Sequence, residues 1–173
     1  MRDRDLKILL ILPLLLGLSC GLCSEETSDE EQIRRIIARA VELAERKDIG
    51  GIMDMASEDF VAMPQSMDRR QTKGMLLYVF QRYKDLSILY PRPGVSVEPG
   101  APSGSASVVF LLLRGGDTRP NVDGLADDLE QWVRKVGDYT RLFRLKITFV
   151  KEDDDWLVQR IHLERFKGTG FSQ

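Results

Sequence analysis

Side chains that commonly carry chemistry are scarce in this chain of 173 residues: it has one histidine, His162, and two cysteines, Cys20 and Cys23. Zinc sites built on Cys and His need more ligands than that, so counting excludes them. Dyads and triads that need a cysteine nucleophile are excluded too, and those that need histidine must use His162. Gly50-Gly51 and Gly115-Gly116 lack the Lys-Ser/Thr ending and strand-to-helix spacing of a phosphate loop. Asp153-Asp154-Asp155 reads as a turn, because a calcium loop needs a longer ligand pattern. The residues imply no metal and no cofactor.

Two positions remain of interest. His162 shares a strand face with Arg160 and Glu164, opposite Leu157, Ile161 and Leu163, which form the expected core face. That places His162 on the surface or in a dimer contact. Arg141 falls in phase with Tyr139, Phe143, Leu145, Ile147 and Phe149, the inward positions of a long strand. A guanidinium stays charged, so in the interior it requires a carboxylate such as Asp59 or Glu58, a ring of carbonyls, the solvated mouth of a cavity, or an anionic ligand.

The elements that would position these residues follow from periodicity. Ser28 and Glu31 have capping-box spacing, and Ile33, Ile36, Ile37, Ala40, Val41 and Ala44 recur at helical intervals, which predicts a helix over 29–47 with Arg46 and Lys47 in its last turn. Asp48 caps a shorter helix reaching residue 56, and a brief strand over 59–63 stops at Pro64. Asp68 opens a third helix ending near residue 84, with Leu76, Val79, Phe80 and Tyr83 on one face. The period then becomes two. Residues 86–90 and 95–98 form a strand broken at Pro91 and Pro93, and 105–114 is apolar on both faces, as a central strand should be. A loop over 115–124, a short helix from Leu125 to Gly137 containing Trp132, and strands over 139–151 and 156–166 complete the chain. Helices first and long antiparallel strands afterwards make an α+β order, with the helices on the concave face of a strongly curved sheet.

The chain opens with Arg2, Arg4 and Lys7 against Asp3 and Asp5, followed by an apolar run over 8–18. That run is too short for a membrane-spanning helix, which needs about 20 residues, and reads as a secretory signal over 1–19. Gly17-Leu18-Ser19-Cys20 resembles a bacterial lipoprotein box, although leucine is expected where Gly17 stands and a small residue where Leu18 stands. The resemblance implies acylation of Cys20 and a membrane anchor on the periplasmic side of a cell envelope. An ordinary cut before Cys20, giving a soluble periplasmic product, uses the same bond. Residues 20–28 would then be an acidic tether, 29–167 the domain and 168–173 a flexible tail.

The first nineteen residues carry three basic and two acidic side chains, so the rest is one unit more negative than the whole chain's −2. No basic stripe with interleaved aromatics is present, which argues against nucleic acid as a partner.

Over roughly 29–167 the chain resembles the nuclear transport factor 2-like superfamily, with its cystatin-like fold. The likeness rests on EEQIRRIIARAVELAERKDIGGIMDMASEDF, similar to the opening helices and first strand, and on RLFRLKITFVKEDDDWLVQRIHLERF, similar to the closing hairpin. It implies a cone-shaped interior and, in many members, a homodimer. In the isomerase-like members an aspartate before a proline is the general base, but Met63 precedes Pro64 here, and a thioether takes no proton at neutral pH. The tyrosine of the first helix and the later strand's carboxylate are missing too. The expected role is therefore non-catalytic binding of a partner or of a small apolar or anionic molecule, with Arg141, Tyr139, Asp59, Met63 and Trp132 as candidate contacts. The alternative is an isomerase, dehydratase or hydrolase using carboxylate and tyrosine chemistry, which requires Asp59, Tyr139 and Arg141 to converge on one cavity.

Overall fold

A computed structural model describes residues 27–136 and 141–166. The expected signal segment, Cys20 and Cys23, most of the expected tether, Tyr139, and residues from 167 onward lie outside that range.

Helix α1 (Asp29–Glu45) starts where expected: Ser28 Oγ accepts the Glu31 N–H at 3.3 Å. The capping box is only half formed, because the Glu31 carboxylate turns to Arg34 at 3.4 Å. Arg46 caps the helix C-terminus and Lys47 adopts φ 59°, so these two bases follow the helix instead of lying in its last turn. Asp48 caps α2 (Ile49–Asp54) by accepting the Gly51 N–H at 2.9 Å. Strand β1 (Ala56–Met63) precedes α3 (Arg69–Arg82), whose N-terminus carries a complete capping box between Asp68 and Gln71.

Next come β2 (Leu86–Leu89), β3 (Gly94–Val97), β4 (Ser103–Arg114), α4 (Leu129–Val136), β5 (Leu142–Glu152) and β6 (Asp155–Arg165). The sheet is six-stranded in the order β1-β6-β5-β4-β2, with β3 also paired to β4. Strands β2 and β3 pair successive stretches of β4, Leu111–Arg114 and Gly104–Ser107. The break between them holds Pro91 and Pro93, which have no N–H to donate. At that break the Arg92 N–H donates to the Ala126 carbonyl at 2.6 Å, pinning the loop that leads into α4. The β5–β6 turn places Asp153 and Asp154 at φ 48° and 70°, the two positive values of a tight primed hairpin.

Three further features differ from the sequence-based expectations. Strand β1 joins the sheet in parallel with β6, a non-local pairing that no local pattern encodes. Helix α4 begins at Leu129, four residues after Leu125, because the Asp128 carboxylate accepts the Gln131 N–H at 2.9 Å and fixes the start. A bulge between Thr148 and Phe149 leaves Gln159 as the extra residue opposite them. Trp156 and Val158 therefore point inward before the bulge, and Ile161 and Leu163 after it. Leu157 is on the opposite face from Ile161, contrary to strict alternation.

The sheet is covered on both sides. Ile33 and Ile37 of α1 pack on Ala106, Val108, Ile147, Phe149 and Trp156 of the concave face. On the outer face Trp132, Val133 and Val136 of α4 pack on Leu89, Val109, Leu111, Leu113 and Leu142. This second layer explains why β4 is apolar on both faces. Fully burying side chains of this kind contributes about 1.5–3 kcal/mol each.

Candidate binding cavity

Between α1 and the concave sheet face lies a cavity of about 290 Å³. Helix α1 supplies its floor with Ile36, Ile37, Ala40, Val41 and Ala44, five positions of the stripe legible in the sequence. Small Ala40 and Ala44 at helical spacing hold the helix backbone near the sheet without filling the space beneath it. Phe110, Leu145, Ile147, Phe149 and Val158 form the opposite wall, and Leu76 of α3 closes one side. Leu163 lines the cavity and is 46% exposed, so the interior reaches the surface at the C-terminal end of β6.

Tyr90 carries the one polar side chain in the lining. Burial pushes its phenol up from the ordinary value, and the charges of Glu42 and Glu45 push the same way. The hydroxyl stays protonated near neutral pH, so Tyr90 adds no charge to the lining. Its place after a short strand and before Pro91 gives no sequence signal that it lines a cavity.

Of the candidate contacts, the four among the described residues do not line this cavity. Arg141 is committed elsewhere: its Nε donates to the Leu112 carbonyl at 3.1 Å and its Nη2 pairs with Asp117. The partner is thus neither Asp59 nor Glu58 but a residue of the loop after β4, where Asp117 also accepts the Arg114 N–H at 2.6 Å. Asp59 accepts from Ser57 Oγ at 2.7 Å and from Gln159 Nε2 at 2.8 Å. The Ser57 bond, then the Gln159 bond, hold its carboxyl below the usual range, which makes it a poor base near neutral pH. Gln159 lies near Thr148 on β5, and Arg141 is seven residues back along that strand, about 23 Å at 3.3 Å per residue. Asp59 and Arg141 therefore cannot share a ligand of the size this cavity admits.

Met63 pairs with His162 on β6, next to the Val61–Arg160 pair, and its side chain points away from the α1 side. Trp132 is 1% exposed in the outer-face core, separated from the cavity by the sheet. Both corrections come from sheet register and layering. Tyr139 lies outside the described residues. His162 lines an outer cleft with Lys146 and Arg160, on the surface face expected for it. Glu164, held low chiefly by its hydrogen bond from Lys146, also meets Arg144 at 3.7 Å.

No protein-family model and no curated protein matches the sequence. The solved structures do. A protein from Novosphingobium aromaticivorans, described as NTF2-like with a cystatin-like fold, aligns at TM-score 0.57 and 16% identity over 82% of this chain and 84% of that one. The fold is nuclear transport factor 2-like. A proposed dehydratase of the NTF2-like family from Streptomyces avermitilis aligns at TM-score 0.58 and 13% identity, over 80% and 96% of the two chains. The protein Bd1075 of Bdellovibrio bacteriovorus aligns at TM-score 0.57 and 10% identity, over 79% of this chain but only 40% of the longer one. At these identities the nuclear transport factor 2-like likeness extends to the cone and the curved sheet, and not to any activity.

Proposed function

We propose that this protein is a non-catalytic binding protein of the cell envelope, exported, acylated on Cys20, and holding a small apolar molecule in its cone. The observation that carries the binding role is the lining of the cavity, where sixteen aliphatic, alanine or phenylalanine side chains accompany the single hydroxyl of Tyr90. No carboxylate or imidazole stands in that lining, so nothing there moves a proton near neutral pH. A pocket this apolar suits recognition of an apolar molecule, and a volume near the low end of about 300–1,000 Å³ for ligand sites selects a small ligand. Export and anchoring are supported by the apolar run over 8–18 and by Gly17-Leu18-Ser19-Cys20.

Native mass spectrometry of the protein recovered from the cells that make it tests the binding role. The expected result is a bound small molecule on wild type and none on Ala40→Leu, whose larger side chain enters the cavity. Bare protein in both would contradict the reading.

A further inference from the structure

A second cleft, of about 560 Å³, adjoins the cavity at the C-terminal end of α1. Both linings draw on the same three elements. Ala44 of α1 lines the cavity and Arg46 the cleft; Ile88 of β2 lines the cavity, and Leu86, paired with Arg114 of β4, lines the cleft. Two residues of strand are about 7 Å and two of helix about 3 Å, so the two spaces are neighbours.

The cleft is cationic in a chain that is acidic overall. Arg46, Lys47, Lys84, Arg114 and Arg119 line it against Glu45, Asp85 and Asp117. Two of the carboxylates are already engaged. Glu45 accepts the Ile88 N–H at 2.7 Å and Ser87 Oγ at 3.2 Å, and Asp117 is paired with Arg141. Arg46, Lys84 and Arg119 are exposed at the rim.

We infer that the ligand is a single-chain amphiphile with an anionic head: the apolar cavity takes its tail, and the cationic cleft beside it takes a carboxylate or phosphate. This rests on the proposed binding role. Arg and Lys recognise either head by charge-assisted hydrogen bonds. Tyr90, within the electrostatic reach of Glu42 and Glu45, marks the same end of α1.

Calorimetric titration of the purified protein with 1-octanol, octanoate and octyl phosphate tests this, alongside Arg46→Gln/Lys84→Gln/Arg119→Gln, with circular dichroism to establish that the variant is folded. Wild type should bind one or both anions about tenfold tighter than 1-octanol, with the tighter one naming the head group, and the variant should lose that advantage. Equal affinities for all three probes, or an advantage untouched in the variant, would overturn the cleft as the head site while leaving the cavity reading intact. No binding of any probe would remove the cavity reading, and this inference with it.

Discussion

Trp156 Nε1 donates a hydrogen bond to Asp29 Oδ1 at 2.9 Å, joining the first residue of α1 to the start of β6 across 127 positions of sequence. Lys151 Nζ meets the same oxygen at 3.0 Å. One carboxylate therefore ties the N-terminus of the cone's floor helix to the closing hairpin, and it sits where a helix dipole favours negative charge.

That tie predicts an acid-sensitive contribution to stability. The Trp156 bond first, then the Lys151 bond, hold the Asp29 carboxyl below its ordinary 3.8. A carboxylate lowered on folding stabilises the native state above the unfolded-chain value, and the contribution is lost as pH falls through the lowered one. Thermal melts of wild type and Asp29→Asn should differ clearly at pH 7 and converge as pH drops below about 3.8. Parallel curves at both pH values would show that the charge of Asp29 is immaterial.

Arg141 holds structure and does not touch the cavity. Arg141→Ala leaves Asp117 without its ion-pair partner in a partly buried site and should cost about 1 kcal/mol in urea unfolding. Combined with Asp117→Ala, the loss should be less than the sum of the two single losses. Affinity for 1-octanol should not change, because Arg141 is outside the lining.

Gly104 of β4 leaves room for Ile33 of α1 against the sheet. A methyl group there would stand 2.9 Å from Val97 Cγ2 and 3.0 Å from Ile33 Cδ1, and Ile33 is fully buried. Gly104→Ala should destabilise the fold by about 1–2 kcal/mol through overpacking, read by chemical denaturation.

The proposed anchor has a direct chemical readout. In cells supplied with labelled fatty acid, wild type and Cys23→Ala should both incorporate label, and Cys20→Ala should not. Label retained by Cys20→Ala would place acylation elsewhere, and no label on wild type would favour a soluble exported form.

Much of the architecture was legible because it is written in periodicity. The α1 stripe from Ile33 to Ala44, the Asp68 start of α3 and the apolar run of β4 are local patterns, and each forms the element it predicts. What escaped is non-local. The Gln159 bulge moved Leu157 to the outer face, and no spacing in the sequence announces it. Trp132 was legible as a helical core residue, but which side of the sheet its helix covers depends on the loop pinned by Arg92. Arg141 was recognised as a charge needing a partner, yet Asp117 lies in a loop 24 positions away, where pairing obeys no period. The cavity is the least legible feature. It exists because Ala40 and Ala44 are small opposite Phe110 and Leu145, and residual volume is a difference between packed surfaces rather than a pattern along one strand.

Methyl-resolved NMR during titration with 1-octanol reads out whether the interior of the cone takes up an apolar ligand. Saturable shifts are expected at Val41, Val108, Leu145, Ile147 and Ile161, with Leu113 and Val133 across the sheet unmoved. Shifts confined to the outer-face methyls, or none at all at saturating 1-octanol, would contradict uptake by the cone.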